Sequence, residues 1–520
     1  MPKQKTDDLL RLIESLTRAE KRHFRLFVRR NQQVNSEILF LQLFDQLERS
    51  GEYDEEFLLR KIEGIKKSQL SNLKAHLYKQ LLISLRLLNR NRDEEIQLRE
   101  QIDYGRILYN KGLYNQALDI LDKVKKKALN FEFLVVALEI AQFEKLIEGQ
   151  HITRSIEGRA EELSRECGQL AKQIALTDRF SNLGMQLYGF YLKRGLVSGE
   201  EDLYFVQSLF ESLLPDSPYE GLTFWGKIYY CQAYHWYHHI RQEFALCHRY
   251  NQRWVDLFQE QPQMVALKPD LYLKGLHNHL TNLFNMWQHD RYKTALEQLI
   301  NFPKDYPGIS DFNTEGLYQL HRFTHLIMLH FLEGRFTDGL ELVPELTEII
   351  DSGRYNWDDH RNMLFYYRIA CLYFGSGDND TAIDYLNRII NQRSPDYRSD
   401  IQAYARILSL ICHFEMGNIQ LVEYQVKSVY RFLSKVEHLQ ETLQVIFKFL
   451  RRLPRIREDQ LHDAFVQLKR RYDEVASKPF EQRPIIYLDI SSWLESKIEG
   501  VAVEEVLRKR FLASQKTEVE

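Results

Sequence analysis

The sequence predicts an all-α fold in which antiparallel helix hairpins stack into a solenoid, with a helical bundle before it and a helical cap after it. Three observations predict it. Gly112 sits between two apolar-periodic segments, with small Gly105 seven residues before it, Tyr114 two after, Ala117 five after, and Leu121 and Val124 nine and twelve after. Degenerate copies of this spacing recur to about residue 430. With 12 prolines in 520 residues, long stretches carry no helix breaker. Each position of the spacing has a packing reason: small residues let two helices approach closely, the aromatic wedges into the hairpin angle, and the later apolar pair faces the core. A hairpin of this size cannot bury its own apolar face, so neighbours must stack, and one core then runs along the chain.

Residues 1–95 differ in pattern and read as a small N-terminal bundle. Thr17 with Glu20 three residues on is a capping box, opening a helix through Phe24, Phe27 and Val28. Asn35 or Ser36 opens a second through Leu39, Phe40, Leu43, Phe44 and Leu47, closed by Ser50 and Gly51. A third begins near Asp54, and a fourth, over about 68–88, carries Leu70, Leu73, Leu77, Leu81 and Leu85 at steps of three and four.

The hairpin region covers 98–435. Gly377 repeats the spacing with Ala370, Ala382, Leu386 and Ile389, and has Asn379 in place of the aromatic. Asp290 has Tyr292, Ala295, Leu299 and Phe302; Gly334 has Phe336, Gly339, Val343 and Leu346. Weaker copies centre on Gln242, with Phe244 and Cys247, and on Gly417, with Val422, Val426 and Val429, while Gly149 and Gly195 are further candidate turns. Residues 436–520 change character again. Pro454, Pro479 and Pro484 punctuate them, and Asp489 or Ser491 can cap a helix through Trp493, Leu494 and Ile498, followed by a periodic stretch from Val501 to Phe511. A solenoid needs a polar-faced terminal cap, which this segment supplies; from Ser514 on the chain should fray.

These hairpins resemble the tetratricopeptide repeat family, which uses small–aromatic–small spacing of this kind. The resemblance implies a right-handed superhelix whose concave groove is lined by the first helix of each hairpin. Turns at 242, 290, 334, 377 and 417 are separated by 48, 44, 43 and 40 residues, against a family period of about 34, so the helices or loops are longer. A helical N-terminal segment followed by such repeats is also similar to a group of uncharacterised bacterial proteins, a likeness that implies no activity.

Composition excludes several classes of function. Lys+Arg 70 against Asp+Glu 73, a net charge of -3, gives no overall field toward nucleic acid or an anionic membrane. Residues 1–8 lack the apolar core of a signal peptide and no apolar run approaches about 18 residues, so a soluble, cytoplasmic protein is expected. The cysteines, Cys167, Cys231, Cys247, Cys371 and Cys412, are odd in number and form no C-x-x-C, which points to reduced, buried thiols. No phosphate-binding loop, dinucleotide fingerprint or nucleophile elbow is present. Asp358, Asp359 and His360 would suit acid–base chemistry, but they stand where a helix begins, and Asp belongs there for capping. The expectation is a non-enzymatic protein without cofactor. His235, His238 and His239, and again His321, His325 and His330, put imidazole pairs on one helix face. Neither has a third ligand or the H-E-x-x-H pattern, and no metal is expected.

The candidate site is a stripe shared by successive first helices at steps of 3, 4 and 3. It reads Tyr229, Gln232, Trp236, His239; His277, Leu280, Phe284, Trp287; His321, Thr324, Met328, Phe331; and Leu364, Tyr367, Cys371, Phe374. The family resemblance places this stripe in the concave groove, where its aromatic residues would anchor a protein or peptide partner and His277 and His321 would orient it. Alternatively, longer helices twist the register and bury these aromatics as core. Family members that bind chaperone tails hold a carboxylate with Lys, Asn and Arg; only Arg106 and Asn110 are similar in kind, which argues against that partner. A second functional reading is a regulator whose N-terminal bundle contacts DNA or another protein while the repeats sense a peptide. Arg25, Arg29, Arg30, Lys66, Lys67, Lys74 and Lys79, and later Lys448, Arg451, Arg452, Arg455 and Arg457, could meet phosphates. Glu52, Asp54, Glu55, Glu56 and Glu63 interleave with the first set, and no helix-turn-helix pairing emerges.

Overall fold

Capping and turn chemistry fix where the helices begin and end. The computed structural model describes residues 8–30, 36–62, 65–90, 92–151, 157–309, 311–392, 399–436, 440–478, 480–481 and 490–517. Asn35, Glu63, Pro479, Pro484 and Asp489, on which some of the above expectations fall, lie outside them. Among the described residues the protein is helical with no strand, and no helix is long and apolar enough to cross a membrane. Contacts cluster into two units, Met1–Ala171 and Lys172–Glu520; the expected boundaries near 95 and 435 fall inside them.

The first unit opens with α1 (Asp8–Ser15), α2 (Arg18–Arg30), α3 (Ser36–Ser50), α4 (Glu55–Lys61) and α5 (Lys67–Asn89), which enclose a core including Phe24, Phe44 and Leu77. The capping box forms: Glu20 Oε2 accepts from Thr17 N–H at 2.7 Å, and Thr17 Oγ1 accepts from Glu20 N–H at 3.3 Å. Asp54 caps α4 by accepting from Phe57 N–H at 3.1 Å. A second core lies among α6 (Glu94–Asn110), α7 (Tyr114–Asn130) and α8 (Leu134–Gln150). Between α6 and α7, Gly112 takes φ +77, and the N–H groups of Gly112 and Leu113 close onto the carbonyls of Tyr109 and Leu108 at 2.9 and 3.0 Å. A Cβ on Gly105 would sit 3.1 Å from Leu121 Cδ2, so the small residue of the spacing makes room for its later apolar one. The next turn is at Glu132, φ +54, whereas Gly149 lies inside α8. The division between units falls within α9 (Arg159–Arg194), after which Gly195 turns at φ +77.

The second unit runs α10 (Glu200–Leu213), α11 (Phe224–Ile240), α12 (Phe244–Glu260), α13 (Gln263–Leu267), α14 (Pro269–Asn285) and α15 (His289–Asp305). It continues through α16 (Phe312–Glu333), α17 (Phe336–Gly339), α18 (Val343–Ser352), α19 (Asp359–Ser376), α20 (Asn379–Ile390), α21 (Ser399–Glu415) and α22 (Ile419–Leu433). Hairpins α11–α12, α14–α15, α19–α20 and α21–α22 pack helix on helix, and each also meets its neighbour. The turns at Gln242, Gly334, Gly377 and Gly417 are left-handed as the spacing implies. The α14–α15 hairpin departs from it: the left-handed residue is Trp287, φ +55, and Asp290 lies in the first turn of α15. The register therefore slips by one helical turn, and Tyr292, expected in the hairpin angle, is fully buried five residues after the true turn. After α16 the partner helix is broken into α17, a 3₁₀ turn (Leu340–Leu342) and α18; Pro344, near the start of α18, has no N–H to continue the ladder.

Four further helices follow: α23 (Glu441–Arg452), α24 (Leu461–Ala476), α25 (Ile490–Glu499) and α26 (Val503–Thr517). Trp493 of α25 is fully buried, its Nε1–H donating to Glu415 Oε1 at 2.8 Å, and Lys497 Nζ pairs with Glu415 Oε2 at 2.6 Å. The chain then turns at Gly500, and α26 packs against α16 and α19.

Candidate functional site

The stripe lies on α11, α14, α16 and α19. Trp236, His239, Phe284, His321, Met328, Tyr367 and Phe374 are buried, Tyr229, His277 and Phe331 are half-buried, and Trp287 is 44 % exposed. Trp236 packs on Tyr188 and Tyr191 of α9, with ring centroids 4.8 and 5.2 Å apart. Phe284 and Met328 belong to one core, Tyr367 and Phe374 to another. Seven of the eleven residues expected to contact a partner are thus occupied within the chain. The cause is the mutual packing of adjacent hairpins, which takes the same bulky apolar side chains that a groove would display.

A histidine network, buried at Tyr292, His321 and His325 and half-buried at His277, joins α14, α15 and α16. Tyr292 Oη–H donates to the His325 carbonyl at 2.9 Å. The phenolic oxygen is then free to accept from His325 Nδ1–H at 3.0 Å, leaving His325 Nε2 to accept from His277 Nδ1–H at 2.8 Å. His321 stacks on His277, with centroids 4.3 Å apart and planes at 20°. The bonds among Tyr292, His325 and His277 form only while both imidazoles are neutral. Burial drives the His277 pKa down to about 3, and the positive charges of Arg368, Lys274 and Arg361 push the same way. Burial also holds His321 and His325 well below the ordinary histidine value.

Lys274, Arg361 and Arg368 were missed when the stripe was read for apolar and aromatic residues. A signal existed: extending the stripes on α14 and α19 one step of three toward their N-termini reaches Lys274 and Arg361. Arg368 NH1 reaches Thr324 Oγ1 at 3.3 Å, tying α19 to the α16 stripe. The half-buried surface around His277 therefore combines neutral imidazole with the ammonium of Lys274 and the guanidinium groups of Arg368 and Arg361, the last already paired with Asp358 at 3.3 Å.

The other candidates have local roles. Asp358 caps α19, accepting from Arg361 N–H at 2.8 Å. His235 stacks on His239 with centroids 5.4 Å apart, while its Nδ1 lies 3.3 Å from Cys247 Sγ. Among the described residues no group of three or more His, Cys, Asp or Glu could hold a metal ion. Cys231, Cys247, Cys371 and Cys412 are buried and Cys167 half-buried, all unbridged; burial pushes the Cys231 and Cys247 thiols up to about 12. In the N-terminal bundle Arg25 is bound to Asp45 and Glu48, and Lys67 pairs with Glu55 at 3.4 Å, which neutralises part of the basic set.

Residues 365–396 match the family model of the tetratricopeptide repeat. They begin within α19 and include α20, the hairpin closed by Gly377 that repeats the Gly112 spacing well. No curated protein and no solved structure matches the chain. The all-helical fold of the described residues is consistent with a helical repeat, and the match is consistent with a protein-interaction scaffold.

Proposed function

We propose that the chain is a non-enzymatic scaffold that binds a protein or peptide along the concave face of a right-handed solenoid formed by the hairpins from α11 to α22. In this reading Trp287 is the exposed anchor, and Tyr229, His277 and Phe331, half-buried on the same set of stripes, add further contacts. Lys274, Arg361 and Arg368 receive carboxylates of an acidic partner, and the buried members of the stripe hold the surface rigid.

The observation that carries the reading is Trp287 itself. A bulky residue at φ +55 gives up about 1 kcal/mol or more of backbone energy relative to glycine, and 44 % of its surface still faces solvent. An indole left this exposed on the stripe supports a use outside the fold. Trp287→Gly is expected to shift the melting temperature by no more than a few degrees, because relief of the strained turn offsets part of the lost burial, while proteins that co-purify with the wild type are lost. Quantitative mass spectrometry of material captured by the two full-length proteins makes the comparison. An unchanged set of captured proteins, or a Trp287→Gly protein that melts well below the wild type, would sink the assignment.

A further inference from the structure

α26 lies as an amphipathic helix across the turns that end α16 and begin α15. Glu504 accepts from Thr337 N–H at 3.0 Å and from Thr337 Oγ1–H at 2.7 Å. Leu507 enters the core that contains Phe323, Phe336 and Leu372. Arg508 NH1 donates at 3.0 Å to the carbonyl of Glu333, the last residue of α16, where no helical N–H remains to serve it. Phe511 sets its ring edge-on to His289, with centroids 4.7 Å apart, and His289 Nε2 is held by Glu333 Oε1 at 2.8 Å. These four residues stand at i, i+3, i+4 and i+7, one face of a helix.

The seat is light. Among the described side chains of α26 only Val506 and Leu507 are buried, whereas α25 is anchored by Trp493 and its bond to Glu415. A cleft of about 480 Å³ stays open between Gly334 and Arg335 on one side and Glu504, Arg508 and Leu512 on the other. The short turn at Gly500, φ +68, joins α25 to α26, and Arg510 ties the two helices through Glu495 at 2.6 Å and Ser492 at 2.8 Å. We infer that the surface beneath α26 is a helix-binding site which α26 fills in cis. Its partner is an amphipathic helix carrying Glu, Leu-Arg and Phe at the spacing of Glu504, Leu507, Arg508 and Phe511, and binding displaces α26. The inference goes beyond the concave-face reading and does not depend on it, because the seat is built from hairpin turns.

The test uses the full chain and, as probe, a fluorescein-labelled peptide of residues 501–517. Leu507→Asp with Phe511→Ala in the chain loosens α26 and leaves its seat intact, so the peptide should bind at least tenfold more tightly than to the wild type. Gly334 then serves as the block. A Cβ there would lie 2.5 Å from Arg508 N and 2.8 Å from Leu507 C, whereas Gly377, also left-handed, has nothing within 4 Å. Adding Gly334→Ala to the loosened chain should abolish binding; adding Gly377→Ala, which carries the same kind of backbone strain, should not. Equal effects of the two alanines, or no peptide binding by a loosened chain whose melting is otherwise intact, overturns the inference. So does a concentration-dependent dimer of the wild type that the α26 substitutions abolish, which would assign the seat to a second copy. If the loosened chain fails to fold, hydrogen exchange on the wild type decides. Excess peptide should accelerate exchange in residues 503–517, a peptide with Leu507→Asp and Phe511→Ala should not, and equal rates with both count against displacement.

Discussion

Lowering the pH from about 7 to about 5 is expected to destabilise the second unit, with the loss of stability beginning near pH 6.5. His277, His321 and His325 are held neutral by burial, His277 at a pKa of about 3 and the other two well below the ordinary value of 6.5. Each folded-state pKa is thus depressed, and below about pH 6.5 the unfolded chain binds protons that the folded one refuses. Stability is fully present above pH 6.5 and drains as the pH falls from there toward the folded values. Each such group contributes at most about 1.4 kcal/mol per pH unit, so the three together approach about 4 kcal/mol per unit. Buried His235 and His279 shift in the same direction. Against a domain stability of about 5–15 kcal/mol, a loss of even part of this size is measurable. The geometry explains why relaxation cannot rescue the cluster: a proton added at His325 Nε2 would face His277 Nδ1–H across the present 2.8 Å contact, and Lys274, Arg361 and Arg368 supply further positive charge. Urea unfolding at a series of pH values and constant ionic strength measures the slope. His321→Phe, which keeps a ring stacked on His277 and removes one titrating group, should lower that slope by up to about 1.4 kcal/mol per unit. Equal stability at pH 7 and pH 5 would refute the assignment.

Local chemistry was legible in the sequence where one short segment decides it. The Thr17–Glu20 box, the Asp54 cap and the turns at Gly112 and Gly377 follow from residues within a few positions of one another, and each stands where the spacing put it. Trp287 was misread because glycine preference is the main guide to a left-handed turn, and a tryptophan there runs against it. The register error that followed hid Tyr292, whose hydroxyl serves a histidine 33 residues away. The stripe raised a different difficulty. Periodicity identifies an apolar helix face, but a face that meets the next hairpin and one that meets a ligand have the same composition. Trp287 and Phe284 lie three positions apart on one stripe, yet one is exposed and the other buried. The seat of α26 could not be read at all, since Glu504 and Thr337 are separated by 167 residues and Arg508 and Glu333 by 175.

Lys125→Met is expected to destabilise the first unit by about 3–5 kcal/mol, the usual cost of leaving one member of a buried ion pair alone. Lys125 of α7 reaches Glu144 of α8 at 2.6 Å and Glu166 of α9 at 2.9 Å, and both Lys125 and Glu144 are buried. Burial opposes the charge on Lys125, but its hydrogen bonds to the two carboxylates outweigh that and raise its pKa. With the ammonium gone, Glu144 keeps only Arg159, 3.7 Å away and already engaged with Glu148 at 3.3 Å and Glu162 at 2.8 Å. Burial raises the Glu144 pKa even with Lys125 in place, and removing the ammonium raises it further. The deficit of Lys125→Met should therefore be largest at neutral pH and shrink as the pH falls through that raised value, because the protonated carboxyl needs no counter-charge. Adding Glu144→Leu should recover most of the loss, since a pair replaced by apolar side chains of similar volume is close to neutral. The two single variants and the double variant, unfolded in urea at neutral and mildly acidic pH, form a complete cycle. A Lys125→Met cost below about 1 kcal/mol would mean that Arg159 alone holds Glu144 ionised; a double variant no better than the single would place the loss in packing rather than charge.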